Sequence, residues 1–324
     1  MVLPRLGSLH LAKRFTHSSS RSAPYLLFPL QLQELLNREE NVKVLDATWF
    51  MPNSPRNGRE EFLAKHIPKA QFLDLDAVAS PHPLGLKHML PSEATFATAC
   101  ESFGIRANTH VVIYDTHGVF SSPRALYMFR SFGHSNSSIL NGGLPFWEVE
   151  GLSTESGQEQ QPHTTHYSKP SLDTSSVRSY EQVVENAEHD PSSQHAEVVL
   201  DARSRGRYLG TDPEPRPGLS SGHIPNSIAL PFHVFLQTHE GPTSYTTVRS
   251  TADIRRALNE AVGSSQAESI INGQKSVVTT CGSGMTAGVL WLGLKLLGAP
   301  KVGLYDESWT GYALRPTSKI VKDR

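Results

Sequence analysis

The sequence predicts an α/β protein with two tandem copies of one domain, each a mostly parallel sheet covered by helices on both faces. Three segments recur along the chain at similar offsets. Within each copy, β-branched apolar runs alternate with helical patterns, which is typical of parallel sheets. A length of 324 residues also suits two domains with separate apolar cores.

The recurrence defines the predicted boundaries. Residues 44–47 recur as 199–202, residues 66–70 as 223–227, and residues 111–115 align with 277–281. The steady spacing indicates a duplicated fold rather than a solenoid of short repeats. We predict a first domain over residues 24–150, a Ser/Thr/Gln/Pro-rich linker over 151–176, and a second domain over 177–324. His66 and His223 recur at one position and are predicted to be structural.

The N-terminal residues 1–23 have a separate character. They include Arg5, Lys13, Arg14 and Arg21, and the first acidic residue is Glu34. This composition predicts a mitochondrial transit peptide, with a disordered basic tail as the alternative. We therefore expect a mitochondrial location, with a cytoplasmic pool as a further expectation.

Composition excludes several function classes. The formal net charge is −1, so strong attraction to nucleic acid or to anionic membranes is not expected. No apolar run approaches the length of a membrane span. Cys100 and Cys281 are the two cysteines of the sequence, too few for a disulfide framework or a cysteine-based zinc site. We expect neither a metal nor an organic cofactor.

The two cysteines have different predicted environments. Phe96, Cys100 and Phe103 fall on one face of a predicted helix over 92–103, so Cys100 is predicted to pack in the core. Cys281 instead follows an apolar, β-branched run and precedes a loop of small residues. A buried cysteine can also be plain packing. However, Gly282 and Gly284 permit positive φ and close backbone approach, which packing does not require.

The loop at Cys281 is suited to holding an anion. Its N–H groups can converge into a nest, and the positive end of the next helix points at the same place. Both effects favour the nucleophilic thiolate over the thiol. Phosphatase loops of similar shape end in arginine, but this chain has Ala287 there. A bound phosphate would therefore lack its main counter-charge.

The helix after the loop is apolar nearly all round over 286–297 and is predicted to be buried. Gly298 and Pro300 give it an ordinary C-terminal stop. Thr286 is either a helix cap or a residue that positions the loop. Met285 is predicted to pack.

Residues 281–286, Cys-Gly-Ser-Gly-Met-Thr, resemble the active-site loop of the rhodanese superfamily. Within it they are similar to the 3-mercaptopyruvate branch, whose loop has Val in place of Met285. The thiosulfate branch carries Arg-Lys where this chain has Gly282 and Ser283. The resemblance extends over residues 30–316, with further matches at 45–49, 141–147 and 305–309. It implies tandem rhodanese-like domains, of which residues 24–150 are inactive and 177–324 catalytic.

The resemblance also implies roles for individual residues. Cys281 is the nucleophile, and Ser283, His88 and Asp76 form a proton relay that polarises the donor carbonyl. The substrate-binding residues that it implies are Arg207, Arg216, Gly282, Gly284, Met285 and Thr286.

The residues themselves place cations after a strand, over 201–216, where α/β proteins bind ligands. A carboxylate ligand is best held there by guanidinium groups. Arg203 and Arg205 are predicted to be surface residues.

The implied reaction moves sulfur from 3-mercaptopyruvate, through a persulfide on Cys281, to an acceptor thiol, and releases pyruvate. Its partners are a small-molecule sulfur donor and an acceptor such as thioredoxin, a small thiol or cyanide; a sulfur-accepting partner protein is a further expectation. Two alternatives stay open. One is a thiosulfate:cyanide sulfurtransferase, and the other is a persulfide relay to a partner protein in tRNA thiolation or cofactor assembly.

The transit-peptide prediction can be tested directly. A fluorescent reporter that carries residues 1–23 is expected to enter mitochondria, because the segment combines four cations with no acid. A control in which Arg5, Lys13, Arg14 and Arg21 are all changed to glutamine should stay outside. A diffuse signal from the unaltered segment would leave the disordered-tail interpretation.

Overall fold

The structure is a computed structural model, and it describes residues 22–38 and 41–323. The predicted transit peptide lies almost wholly outside the described residues. Two five-stranded sheets flanked by helices make up the chain, which confirms the predicted fold class. Within the described ranges, no helix is long and apolar enough to cross a membrane.

The first domain contains five strands and five helices among the described residues. The strands are β1 (Leu26–Leu27), β2 (Val42–Asp46), β3 (Ala70–Phe72), β4 (His110–Tyr114) and β5 (Ser137–Leu140). The helices are α1 (Pro29–Asn37), α2 (Gly58–Ala64), α3 (Glu93–Ser102), α4 (Ser122–Ser131) and α5 (Gly143–Val149).

The second domain repeats this pattern and adds a hairpin. Its strands are β6 (Val177–Arg178), β7 (Val198–Asp201), β8 (Ser227–Ala229), β9 (Leu236–His239), β10 (Tyr245–Val248), β11 (Val277–Thr280) and β12 (Val302–Tyr305). Its α-helices are α6 (Tyr180–Glu188), α7 (Arg205–Leu209), α8 (Thr251–Val262), α9 (Ser264–Ile271), α10 (Ala287–Leu296) and α11 (Ser308–Leu314). Single 3-10 turns lie at Thr174–Ser176 and Phe232–Phe235.

The two sheets have one topology, and their strand pairs are all parallel. The orders are β1-β5-β4-β2-β3 and β6-β12-β11-β7-β8, so each strand of the first sheet has a counterpart in the second. The predicted duplication is therefore real. The run that precedes Cys281 is fully buried in the middle of its sheet, which explains why all four of its residues are apolar or β-branched.

The antiparallel hairpin β9–β10 was not predicted from the sequence, and it links the domains. Thr246 on β10 donates its N–H to the carbonyl of His117, and its hydroxyl accepts from the N–H of Val119. Tyr245 stacks on Phe146, with 5.1 Å between the ring centroids. The second domain thus reaches onto the loop that follows β4 in the first domain.

Residues 151–176, predicted as a linker, contain no regular element except the 3-10 turn at their end. They run along the first domain rather than hang free of it. Glu159 pairs with Arg59, and Tyr167 is 7% exposed with its hydroxyl 2.9 Å from His134. The extended connection thereby takes part in the packing of the domain that it leaves.

Helices α4 and α10 pack against each other and join the two cores. Each helix follows the corresponding loop of its domain, β4 to α4 and β11 to α10. Gly288 on α10 makes the close approach feasible, because a Cβ there would lie 2.8 Å from the backbone N of Arg124. One apolar cluster consequently includes buried residues of both domains.

Other sequence predictions agree with the structure. Cys100 lies on α3, is 1% exposed and packs in the core near Phe96. Burial raises the pKa of the Cys100 thiol well above its ordinary value, which makes it a poor nucleophile. His66 and His223 stack on Phe62 and Tyr208 and hydrogen-bond those residues' own carbonyls. These histidines are structural in both domains.

The duplicated aspartates at the ends of β2 and β7 differ in their charge balance. Asp201 is buried but is paired with Arg203 at 2.5 Å. The residue two positions after Asp46 is Thr48, which offers hydrogen bonds but no positive charge. Burial is the largest effect on Asp46 and raises the pKa of its carboxyl to about 7, despite the opposing hydrogen bonds from Thr48.

We expect Asp46→Asn to remove a pH dependence of stability. The pKa of Asp46 is higher in the folded state than in the unfolded state. Its protonated carboxyl therefore contributes its full stabilisation below about pH 4, and this stabilisation is lost as pH rises through about 7. The full shift corresponds to roughly 4 kcal/mol, and the variant should gain stability relative to wild type over this range. Urea denaturation at pH 5 and pH 8 measures this difference, with Asp323→Asn, at an exposed position, as control. Equal losses in Asp46→Asn and wild type would contradict the prediction.

Candidate active site

Cys281 lies at the carboxyl end of the second sheet, immediately after the central strand β11. The loop of residues 281–286 connects this strand to α10. The thiol is 2% exposed, at the base of a cavity of about 530 Å³ between the domains. The first domain contributes Trp49, Met51 and Phe120 to the cavity wall. The reactive position is thereby enclosed by both halves of the chain.

The backbone of the loop is held so that a donor faces the sulfur. The N–H of Gly284 points at Cys281 Sγ over 3.2 Å, and Gly284 has a φ of +86° that favours glycine. The carbonyls of Cys281 and Gly282 are instead bound by the N–H groups of Trp309 and Thr310, both at 2.9 Å. The start of α11 therefore fixes the loop's carbonyls and leaves an N–H group for the sulfur.

Side chains on the β12–α11 turn complete this support. Ser308 Oγ accepts from the N–H of Cys281 at 3.1 Å, and Thr310 Oγ1 donates to the Gly282 carbonyl at 2.6 Å. Ser308 is fully buried at a φ of +51°, an uncommon conformation for a residue with a side chain. Neither hydroxyl was identified from the sequence, because nothing in its spacing shows that this turn meets the cysteine loop.

The two remaining loop residues differ in their environments. Met285 is 2% exposed and packs in the core, as predicted, while part of it lines the cavity. Thr286 occupies the N-cap position of α10, but its side chain makes no capping hydrogen bond. It also lines the cavity, so its position allows contact with a ligand.

A buried ionic network stands beside the loop. Arg203 donates to Asp201 and to Glu214, and its guanidinium lies 4.1 Å from the Trp309 ring centroid. Glu214 in turn accepts two hydrogen bonds from Arg207, the shorter at 2.6 Å. The prediction that Arg203 is a surface residue is wrong: it is 2% exposed, because it pairs with the buried carboxylates of Asp201 and Glu214. Arg205 is exposed, as predicted.

Arg216 differs from its neighbours in having no carboxylate ion pair among the described residues, although Cys281, Glu214 and Asp76 are close enough to attract it. Its Nη2 donates to Ser283 Oγ at 3.0 Å, and it has no carboxylate partner within residues 22–38 and 41–323. Burial lowers the pKa of the Arg216 guanidinium from its ordinary value, and repulsion from Arg207 lowers it further. The network of three arginines and two carboxylates therefore leaves one uncompensated positive charge at the cavity.

His88 and Asp76 reach the site from the first domain. His88 is 2% exposed; its Nδ1 lies 2.8 Å from Asp76 Oδ1 and its Nε2 2.8 Å from the backbone oxygen of Ser283. Burial acts to raise the pKa of Asp76, but the contacts with His88 outweigh it and the pKa lies below its ordinary value. The predicted trio is thus brought together, although the Ser283 hydroxyl contacts Arg216 rather than His88.

An ion pair between the domains fixes this arrangement. Arg124, 2% exposed on α4, donates to Asp306 at 2.5 Å and to the His88 carbonyl at 2.7 Å. Asp306 also accepts the N–H of Leu90 at 2.9 Å. His88 itself has a φ of +46°, a conformation that needs such support. Arg124 gave no signal in the sequence, since its importance depends on contacts across the interface.

The equivalent loop of the first domain is already filled. Asp115 replaces the cysteine, and its Oδ2 accepts from the N–H groups of Phe120, Ser121 and Ser122 at 2.9–3.0 Å. Its Oδ1 accepts from the N–H of His117 at 3.0 Å. The N–H groups that could hold a foreign anion are therefore occupied by the chain's own carboxylate.

The rhodanese-like domain model matches residues 28–150 and 180–315. The chain belongs to the rhodanese family. The 3-mercaptopyruvate sulfurtransferase of Rattus norvegicus is 40% identical over 276 residues, covering 85% of this chain and 86% of the relative. The thiosulfate sulfurtransferase of Bos taurus is 40% identical over 274 residues, covering 83% of this chain and 84% of the relative. This rhodanese-family chain is therefore a sulfurtransferase.

A solved structure agrees with this membership. The crystal structure of SseA from Escherichia coli, which has the rhodanese fold of 3-mercaptopyruvate sulfotransferases, superposes on this chain with a TM-score of 0.73 at 29% identity. The match covers 89% of this chain and 99% of SseA. Since the rat and bovine relatives are equally identical, overall similarity does not choose between their sulfur donors. The choice between the two donors must therefore be argued from the residues that line the cavity.

Proposed function

We propose that the chain transfers sulfur from 3-mercaptopyruvate, through a persulfide on Cys281, to an acceptor thiol, with release of pyruvate. The observation that supports this most directly is the single uncompensated guanidinium, Arg216, beside the buried thiol. One positive charge matches the one carboxylate of 3-mercaptopyruvate. Arg207, held by Glu214 at the same cavity, supplies a second planar donor group.

The first half of the reaction forms the persulfide. The Cys281 thiolate attacks the donor's sulfur, a new S–S bond forms, and the donor's C–S bond breaks. The electron pair of that bond passes to carbon and gives the enolate of pyruvate, which then takes up a proton. Arg207 and Arg216 hold the carboxylate, and the N–H of Gly284 stabilises the anionic sulfur on Cys281.

The groups from the first domain serve the developing enolate. Ser283 Oγ, oriented by Arg216, stands near the position proposed for the donor carbonyl. The His88 ring lies between Asp76 at Nδ1 and the Ser283 carbonyl at Nε2, and Asp76 fixes its orientation. Its Nε2 holds the Ser283 main chain, and so helps to position the Ser283 hydroxyl near the oxygen on which charge develops. Gly282, Met285 and Thr286 shape the loop around the same ligand.

The second half returns the enzyme to its starting state. An acceptor thiolate attacks the outer sulfur of the persulfide, which releases the Cys281 thiolate and leaves the acceptor as a persulfide. Thioredoxin or a small thiol can serve as this acceptor, and cyanide can attack the same sulfur through its carbon, which gives thiocyanate and the Cys281 thiolate. These steps require only the side chains and backbone groups already named.

Thiosulfate is the second candidate donor. The bovine relative is a thiosulfate sulfurtransferase with 40% identity. The loop has no cation of its own, but a Cβ at Gly282 would lie 3.0 Å from Arg207 Nη2 and 3.5 Å from Arg216 Nη1. Two guanidinium groups are thus close to the loop. Glu214 neutralises one of them, so we rank the monocarboxylate donor first.

The remaining assignments concern organisation and location. We propose that residues 24–150 form a non-catalytic domain, because Asp115 fills its loop, and that residues 177–324 carry the nucleophile. We further propose import into mitochondria, on the composition of residues 1–23.

The nucleophile and the donor are tested in one experiment. We expect mercaptopyruvate to add one sulfur atom to Cys281 in wild type and in Cys100→Ala, and none to Cys281→Ser. Cys100 should not react, because burial raises the pKa of its thiol far above the ordinary value. Mass spectrometry of the intact chain measures the loading. Wild type should load faster from mercaptopyruvate than from thiosulfate. Sulfur on Cys100 alone, or equal or faster loading from thiosulfate, would overturn the assignment.

The carboxylate contact is tested by Arg216→Ala. Loss of a charge-assisted hydrogen bond of about 1.5–3 kcal/mol should raise KM for mercaptopyruvate roughly ten- to hundredfold. Arg205→Ala is the matched control, since Arg205 lies in the same segment but is exposed. Steady-state kinetics with a fixed thiol acceptor give both constants. Equal KM values in the two variants would refute a role for Arg216 in binding the donor.

A further inference from the structure

The peptide group between Gly282 and Ser283 is held by two hydrogen bonds from one residue of α11. The Gly282 carbonyl accepts from the N–H of Thr310 at 2.9 Å and from its hydroxyl, Oγ1, at 2.6 Å. The N–H is one of those that the first turn of a helix leaves without a partner in the helix itself. Thr310 is 8% exposed, so water competes little for its hydroxyl. The side chain of Thr310 is therefore committed to the orientation of this one peptide.

This pair of hydrogen bonds determines where the N–H of Ser283 points. The described part of the chain contains no cis peptide bond, so the Gly282 carbonyl and the Ser283 N–H point in opposite directions from one plane. Because the carbonyl is turned toward α11, the N–H is turned away from it. Within residues 22–38 and 41–323, this N–H donates to no protein acceptor. A largely buried N–H without a partner is costly, so it is suited to an acceptor on a bound ligand.

The first domain offers a comparison within the same chain. There the N–H of Leu144 donates to the Asp115 carbonyl, and this bond corresponds to the one between the start of α11 and the Cys281 carbonyl. The residue that follows Leu144 is Pro145, which has neither an N–H nor a hydroxyl and stands where the second domain has Thr310. The equivalent turn therefore folds without the two hydrogen bonds. Folding of the turn alone does not account for Thr310 in the domain that carries the cysteine.

We propose that Thr310 is a positioning residue for persulfide formation. Its hydroxyl orients the peptide between Gly282 and Ser283 so that the Ser283 N–H meets the sulfur that Cys281 receives. This rests on the proposed function. A donor that is fixed before the reaction stabilises developing charge without the cost of reorienting it. Thr310 does not line the cavity that contains Cys281, so it acts through the peptide rather than on the reacting atoms.

The test removes the hydroxyl and keeps the shape of the side chain. Thr310→Val retains the backbone N–H but has no hydroxyl, whereas Thr310→Ser retains both. Each variant is loaded with mercaptopyruvate in the absence of an acceptor, and mass spectrometry of the intact chain follows the added sulfur over time.

Two quantities separate positioning from donor binding. The loading rate of Thr310→Val at saturating donor should fall roughly three- to tenfold, because one hydrogen bond that orients the peptide is lost. The donor concentration at half-maximal rate should stay within about twofold of wild type, since Arg207 and Arg216 are unchanged. Thr310→Ser should load within about twofold of the wild-type rate.

Thr165→Val is the matched control. Thr165 Oγ1 donates to the Ile105 carbonyl at 2.8 Å in the first domain, so this variant loses the same kind of hydrogen bond. It should load as wild type does, even where its melting temperature falls as far as that of Thr310→Val. Thr310→Ala removes the hydroxyl a second time and replaces Thr310→Val if that variant does not fold.

The outcomes distinguish this inference from the proposed function. An unchanged loading rate in Thr310→Val, a loss that Thr310→Ser does not restore, or an equal loss in Thr165→Val would overturn the role of Thr310 while wild type still loads. If wild type itself takes up no sulfur from mercaptopyruvate, the proposed function is wrong and the role of Thr310 falls with it.

Discussion

The ion pair between Arg124 and Asp306 is the constraint on which the active site depends. Both partners are largely buried, and the pair lies where α4 of one domain packs against the loop side of the other. Removing one partner of such a pair typically costs about 3–5 kcal/mol, because the other charge is left buried. The same arginine holds the His88 carbonyl, and Asp306 holds Leu90. The position of the first domain's residues over Cys281 therefore follows from the interface, not from the second domain alone.

The duplicated fold shows how one architecture supports two different electrostatic solutions. At the end of the second strand, Asp201 has Arg203 as its partner, whereas Asp46 has Thr48 and becomes a carboxyl whose pKa is raised by burial. At the end of the central strand, Asp115 accepts the hydrogen bonds of the N–H groups in its own loop, whereas Cys281 leaves its loop open to a ligand. A carboxylate fixed in place is inert, while a thiol in the same geometry can react.

The sequence was sufficient for the fold class and the duplication, since each depends on local pattern. The buried runs and the environment of Cys100 follow from apolar periodicity and recurrence. The hairpin β9–β10, the buried state of Arg203 and the support from Ser308 could not be predicted, because they arise from contacts between segments far apart in the chain. The presence of His88 and Asp76 beside Ser283 could be expected only from the family resemblance.

The charge balance of the cavity connects these observations to specificity. Arg203 forms ion pairs with structural carboxylates, and both Arg203 and Arg207 pair with Glu214. Neither arginine therefore offers a full positive charge to a ligand. Arg216 alone remains uncompensated, and its partial burial makes an anionic ligand the natural partner. A monocarboxylate neutralises this charge, whereas a dianion would leave excess negative charge next to a thiolate. Under the proposed function, the choice of donor therefore depends on the number of carboxylates that the protein itself supplies, as much as on its arginines.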